Sequence, residues 1–367
     1  MLCALLLMLI AYLAPLLAIA ALVLTQVCGG IRTGGGDDSS PARTYLYIGD
    51  QIDKSVIAAR LPGWQEVAIE TRPKYVDFVI ATGKELSDKR LFDIRGTLKC
   101  RLDSRQLTDK VNFHHYMEDI APELIARTID VDENTELPSG VWMIRANWGW
   151  GGRAAAVATN TDELREICKR FEADNPYRAR GKIIASEYIA DPMLVDGYKF
   201  HLRIYMLCVC LADGTQTLTM LRTGLVIPAH EKYQRGDWSN ADIHDTHGRD
   251  NRGLMLFPRD FGGDEMFDKV VDALKRSVVP LLPKVRLYPE STNAYEMLGA
   301  DIMFTADGQL KIIEINDTPG LTWLSAHPEG KKVEGEVLDL VFRSAVDPVF
   351  GLSSAAEADP TLFISLT

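Results

Sequence analysis

The segment Leu298–Gly320 reads LGADIMFTADGQLKIIEINDTPG, and its two apolar runs around Ala306-Asp307-Gly308 predict a β-hairpin. Glu314 and Asn316 are two residues apart on the second strand, so both side chains project to one face. With the turn centred on Asp307, Asp301 lies six residues before it and Ile313 six after, which sets Asp301 across the ladder from Glu314 or its neighbour. Two carboxylates and an amide oxygen then converge beside Ile312, Ile313 and Ile315. Such a set suits a hard cation such as Mg2+, which keeps coordination positions open for phosphate oxygens and water. A solvated hairpin face is the competing reading. It is the weaker one, because a Glu and an Asn set inward on so apolar a strand are costly to bury without a partner.

Upstream, GYKFHLRIY (197–205) predicts a strand on which Lys199, His201 and Arg203 share one face while Phe200, Leu202 and Ile204 face a core. That basic face is built for anions, and Arg222 in TMLRTGL extends it from the following strand. The loop NWGWGGR (147–153) has no GK[ST] ending and opens no helix after a strand, so neither a P-loop nor a dinucleotide fingerprint is present. Its glycines, Gly151 and Gly152 among them, predict a hairpin cover whose backbone NH groups approach phosphates, with Arg145 and Arg153 supplying charge.

The rest of the pattern alternates strands and helices, the signature of a mixed α/β fold. Strands are predicted at 45–48, 75–81, 141–145, 154–158, 182–189, 198–211 and 217–227. Helices are predicted at 161–174 (capped by Thr161), 265–279, 293–297 and 334–346. The polar stretch 228–253 reads as a long loop, of the kind that is functional or disordered in a compact domain. The division that follows has a linker at 29–43, an amino-terminal α/β domain at 44–139, a catalytic region at 140–349 and a loose tail at 350–367.

Length and composition fit that division. At 367 residues the chain is long enough for two or three domains, and 47% hydrophobic with 25% charged residues is ordinary for a folded protein. A net charge of −11, from 51 acidic against 40 basic residues, argues against a nucleic-acid partner. The six cysteines show no CxxC pair and read as reduced core thiols. Residues 1–28 carry no charge and are long enough to span a bilayer, so the expectation is an uncleaved single-pass membrane anchor rather than a cleaved signal. Arg32 and Arg43 beyond it place the catalytic region in the cytosol.

In order along the chain, WMIRANWGWGGRAAAV, ASEYIADPMLVDGYKFHLRIY, TMLRTG, HDTHG and EMLGADIMFTADGQLKIIEINDTPGL resemble the tubulin tyrosine ligase family, over about 180 residues from Val141 to Leu321. The resemblance implies an ATP-grasp fold with mixed and antiparallel sheets. It also implies ATP- and Mg2+-dependent ligation of an amino acid (Tyr, Glu or Gly) to a protein carboxylate through an acyl phosphate, with tubulin or another protein bearing an acidic tail as acceptor. On that basis Asp301, Glu314 and Asn316 hold Mg2+, and Arg203 and Arg222 are catalytic. Lys199 faces the nucleotide with Arg145, Gly151, Gly152 and His201, Glu187, Tyr188 and Ile189 lie at the adenine, and Lys110 resembles a lysine that reaches phosphate.

The chain departs from the family at four positions. The family usually has Lys at Arg145, Asp at His201, Asn at His247 and Gln at Ser186. Two other functions remain compatible with these residues: an ATP-grasp ligase with a different protein or peptide acceptor, and a nucleotide-binding pseudoenzyme serving as a membrane adaptor.

Overall fold

The computed structural model describes residues 41–49, 52–82, 88–147, 154–174, 182–246, 255–288, 291–317, 319–321, 324, 327–352 and 360–367. Its spine is a pair of long antiparallel strands, β10 (Tyr198–Cys210) and β14 (Ser291–Phe304), in register from Leu202–Ile302 to Cys210–Ala294. Both are buried along most of their length. Near-continuous burial explains why their sequences run apolar instead of alternating strictly.

Each spine strand shares its outer edge between two partners. On β14, the first half pairs in parallel with β4 (Arg95–Cys100) and the second half pairs antiparallel with β15 (Leu310–Asn316). On β10, β12 (Gly224–Pro228) takes Phe200–Arg203 and β11 (Gln216–Leu221) takes Met206–Cys210. The functional residues on the spine lie on the β12 and β15 side of these changeovers.

Beyond β4 the sheet continues through β3 (Tyr75–Ala81) and β1 (Thr44–Ile48) to β2 (Gln65–Glu66), all in parallel. With β9 (Leu194–Val195), β13 (Met255–Phe257) and β16 (Phe363–Ser365), twelve strands among the described residues form this one mixed sheet. One face packs on the helices Lys110–Ile120 and Gly263–Ser277 through Phe113, Met117, Phe267 and Leu274. The other packs on Lys54–Arg60 and Pro328–Val341 through Ile57, Val333, Val337 and Val341. Both faces are thus covered, as parallel pairing requires.

A second sheet has the order β5 (Thr128–Val131), β8 (Ile183–Glu187), β6 (Trp142–Ala146), β7 (Ala155–Ala158). The helix Thr161–Asp174 closes it through Leu164, Ile167 and Phe171. Its cap is Asn160, not Thr161: Asn160 Oδ1 accepts from the Glu163 amide at 2.9 Å, and Glu163 Oε2 accepts from the Thr159 amide at 2.7 Å.

Several sequence expectations are corrected. Asn293–Met297 is strand, because β4 and β10 pair with it from both sides and override its Ala, Glu and Met helix propensity. The single strand expected at 217–227 is two, broken at Arg222, whose amide binds the Leu362 carbonyl at 2.7 Å. The tail is not loose throughout, since β16 pairs antiparallel with β11. Residue 139 is no domain boundary in the fold: strands before it join both sheets, and Arg43–Thr367 forms one unit.

The expected single-pass membrane placement is withdrawn. Among the described residues no helix is long and apolar enough to cross a membrane, and residues 1–28, on which that expectation rests, lie outside the described residues.

Candidate active site

Asp301 and Glu314 stand opposite one another across β14 and β15, immediately before a register shift between Asp301 and Ile302. The shift leaves Ile313 without a ladder partner and keeps Glu314 and Asn316 on the same face as Asp301. Asn316 Nδ2 donates to Asp301 Oδ2 at 3.1 Å. The oxygens available to an ion are those of the two carboxylates and the Asn316 amide oxygen, whose NH2 faces Asp301, and among the described residues no third His, Cys, Asp or Glu joins them. Oxygen-only donors of this kind fit a Mg2+-type ion.

Basic side chains surround both carboxylates. Arg203 Nε and Nη2 donate to Asp301 Oδ1 and Oδ2 at 2.5 and 3.1 Å, and His201 Nε2 lies 3.7 Å from Oδ1. Lys110 Nζ lies 3.3 Å and Arg145 Nη1 3.5 Å from Glu314 Oε2. Burial alone would raise the Glu314 pKa, but Lys110 and Arg145 outweigh it and hold the carboxyl down to about 2. Asp301 in turn helps to raise the Arg203 pKa against the opposing effect of burial. Glu314 is thus charged at neutral pH.

Local structure delivers each of these groups. Asp109 caps the Lys110–Ile120 helix by accepting from the Val111 and Asn112 amides, while Asn147, just past β6, accepts from the Lys110 amide at 2.9 Å and donates to Asp109. The helix start is thereby pinned to the end of β6, and Lys110 reaches Glu314. Arg145 on β6 is buried; its Nη1 donates to the Ile313 carbonyl at 3.1 Å, and its Nε has no hydrogen-bond partner among the described residues.

Lys199, His201 and Arg203 share one face of β10 and all three are buried. They go to different partners. Lys199 Nζ donates to the Tyr188 hydroxyl at 2.8 Å, and that hydroxyl meets His244 Nδ1 at 2.7 Å beneath Trp238. Burial lowers the Lys199 pKa to about 7. His201 Nδ1 meets Thr246 Oγ1 at 2.7 Å. Glu187, Tyr188 and Ile189 line an open cavity of about 540 Å3, together with Thr305, Asp307 and Lys311.

Arg222 is not brought to this cluster. Leu225 is the residue opposite Arg203 on β12, and Arg222 is exposed with its guanidinium 4.8 Å from the Phe267 ring centroid. The break between β11 and β12 removes it from the ladder position assumed in reading 217–227 as one strand. Gly151, Gly152 and His247 lie outside the described residues.

Sequence reasoning missed His114 and Thr128, and gave no role to His244 and Thr246 within the HDTHG motif. The signal for His114 was present: it follows Lys110 by four residues, the spacing that places two side chains on one helical face.

The fold is thus of the mixed α/β class, with a cleft that sets two carboxylates, Asp301 and Glu314, among four basic side chains. The chain belongs to the tubulin-tyrosine ligase family, whose model matches residues 97–248 and 251–352. It is 24% identical over 212 residues to a probable alpha-tubulin polyglutamylase of Tetrahymena thermophila, covering 52% of this chain and 51% of the relative. It is 23% identical over 198 residues to a probable tubulin–tyrosine ligase of Schizosaccharomyces pombe, covering 50% and 46%. A protein monoglycylase of Homo sapiens is 22% identical over 246 residues, covering 61% and 28%. The chain thus spans about half the length of the first two relatives.

Proposed function

We propose that the chain is an ATP-dependent ligase of ATP-grasp architecture that joins an amino acid to a protein carboxylate, with the carboxyl-terminal tail of tubulin as acceptor. The observation that carries this reading is the Asp301–Glu314 pair, set opposite one another and contacted by Arg203, Lys110 and Arg145. Activating a carboxylate with ATP builds negative charge on a transferring phosphoryl group, and positioned cations are what that chemistry needs. The cavity beside Glu187–Ile189 is of a size to take a purine.

In this reading Asp301, Glu314 and Asn316 hold Mg2+, which when bound supplies countercharge to the nucleotide phosphates. Lys110 and Arg145 fix Glu314 and present charge to phosphate. Arg203 orients Asp301 through two hydrogen bonds, and Lys199 places an amine beside Tyr188 whose protonation an anionic phosphate would favour. His201, in place of the usual Asp, binds Thr246 and so ties the loop after β12 to β10.

The test is incorporation of labelled Tyr, Glu or Gly into tubulin by the full chain with Mg2+ and ATP. Label in tubulin supports the reading and identifies the amino acid. Mg2+-ATP binding without label in tubulin removes tubulin as acceptor, and absence of binding removes the nucleotide reading.

A further inference from the structure

Behind Glu314, four polar groups form a closed buried ring that the ligase reading leaves unexplained. Arg145 Nη2 meets His114 Nε2 at 2.9 Å and Ser186 Oγ at 3.1 Å; Thr128 Oγ1 meets His114 Nδ1 at 3.3 Å and Ser186 Oγ at 2.9 Å. All four residues are buried. They come from three strands of the second sheet and from the Lys110–Ile120 helix, so the ring also joins that sheet to the helix. We infer that His114, with Thr128 and Ser186, is a positioning device that fixes the Arg145 guanidinium against Glu314, where the nucleotide phosphates bind; the inference rests on the nucleotide reading above.

The hydrogens can be placed by elimination. Arg carries donors only, so His114 Nε2 accepts and the ring proton sits on Nδ1, directed at Thr128 Oγ1. Thr128 gives its own proton to the Ala126 carbonyl at 3.0 Å. Ser186 therefore donates to Thr128 and accepts the second Nη2 hydrogen. Every hydrogen in the ring has one acceptor, and the ring is anchored on a backbone carbonyl. Burial, followed by the neighbouring Arg145 charge, lowers the His114 pKa to about 3, so the accepting form persists through neutral pH.

The ring reads the shape of a guanidinium. Nη2 serves His114 and Ser186 while Nη1 serves the Ile313 carbonyl and Glu314, a planar fork that a lysine ammonium cannot reproduce from one nitrogen. Arg145 and Ser186, two of the positions at which this chain departs from the usual Lys and Gln, are bonded to each other. The departures form one unit, and His114 completes it.

The test is a double-mutant cycle on the full chain with His114→Ala, His114→Gln, Arg145→Lys and the combination of His114→Ala with Arg145→Lys. It is read by Mg2+-ATP affinity, from displacement of a fluorescent ATP analogue, and by urea unfolding. His114→Ala is expected to weaken Mg2+-ATP binding about tenfold, the size of one hydrogen bond to a charged group. His114→Gln, whose amide oxygen replaces Nε2 as acceptor, is expected to recover most of that loss. In the Arg145→Lys background His114→Ala is expected to add less than about twofold. Equal losses in both backgrounds, or no recovery by Gln, would overturn the inference. If the wild-type chain binds no Mg2+-ATP, the nucleotide reading and the phosphate role fail together. The unfolding cycle, which needs no nucleotide, then decides the rest: coupling of His114 to Arg145 upholds the positioning contact, and additivity overturns it.

Discussion

Arg203 and Asp301 face each other across β10 and β14 and share two hydrogen bonds in a site where both side chains are about nine-tenths buried. A pair of this kind is asymmetric in its energetics: forming it returns little net stability, while removing one member leaves an uncompensated buried charge. Arg203→Ala is therefore expected to lower unfolding stability by about 3–5 kcal/mol. Part of that loss should return at millimolar Mg2+, because an ion at Asp301 would replace the missing countercharge. Urea unfolding with and without Mg2+ measures both effects, and a loss indifferent to Mg2+ counts against Asp301 as a ligand.

Glu314→Gln should abolish ligation and also weaken the fold by about 3 kcal/mol, since Lys110 and Arg145 then face no carboxylate. The pH dependence follows from the depressed pKa. The folded carboxyl titrates at about 2 and the unfolded one near its ordinary 4.5, so the unfolded chain binds the proton first. Glu314 contributes its full stability above about pH 4.5 and loses it progressively as pH falls toward 2. In urea titrations between pH 6 and 3, the stability of the wild type should fall more steeply than that of Glu314→Gln. Parallel curves would remove the assignment of Glu314 as the charged centre.

Much of this cleft was legible in the sequence because it is built from short-range pattern. A hairpin with a tight turn fixes who stands opposite whom, and the alternation around Lys199, His201 and Arg203 fixes a shared face. What the pattern cannot carry is partner exchange between distant strands. Arg222 is equally basic and equally close to the motif, yet the change from β11 to β12 takes it out of the ladder. Asn293–Met297 is strand because β10 and β4, both distant in the chain, pair with it from either side. His114 was missed for a related reason, since its partners Thr128, Arg145 and Ser186 are assembled by the second sheet.

Gly299 makes room for the Arg203 side chain. A Cβ there would lie 2.7 Å from Pro319 Cβ and 3.1 Å from Arg203 Cδ, both inside ordinary contact. Gly299→Ala should displace Arg203 from Asp301 and destabilise the chain by about 1–3 kcal/mol, the range for overpacking. Ligation should fall further than the stability loss alone explains. Thermal melts and single-turnover rates on the same preparation separate the two, and full activity in a stable Gly299→Ala would show that Arg203 tolerates the shift.

Lys199 offers the clearest solution signature of nucleotide binding. Burial brings its pKa to about 7, so at pH 8 most of the folded chain carries a neutral amine beside the Tyr188 hydroxyl. The unfolded lysine keeps its ordinary value near 10.5, so between about pH 7 and 10.5 the unfolded state binds more protons and this group makes stability rise with pH. Anionic phosphate brought near the amine reverses the preference, because an opposite charge favours the ammonium. Mg2+-ATP binding at pH 8 should therefore take up close to one proton, and Lys199→Met should abolish the uptake while weakening affinity by about tenfold. Calorimetry in two buffers of different ionisation enthalpy counts the protons directly. Equal uptake in wild type and Lys199→Met would place the titrating group elsewhere in the cleft.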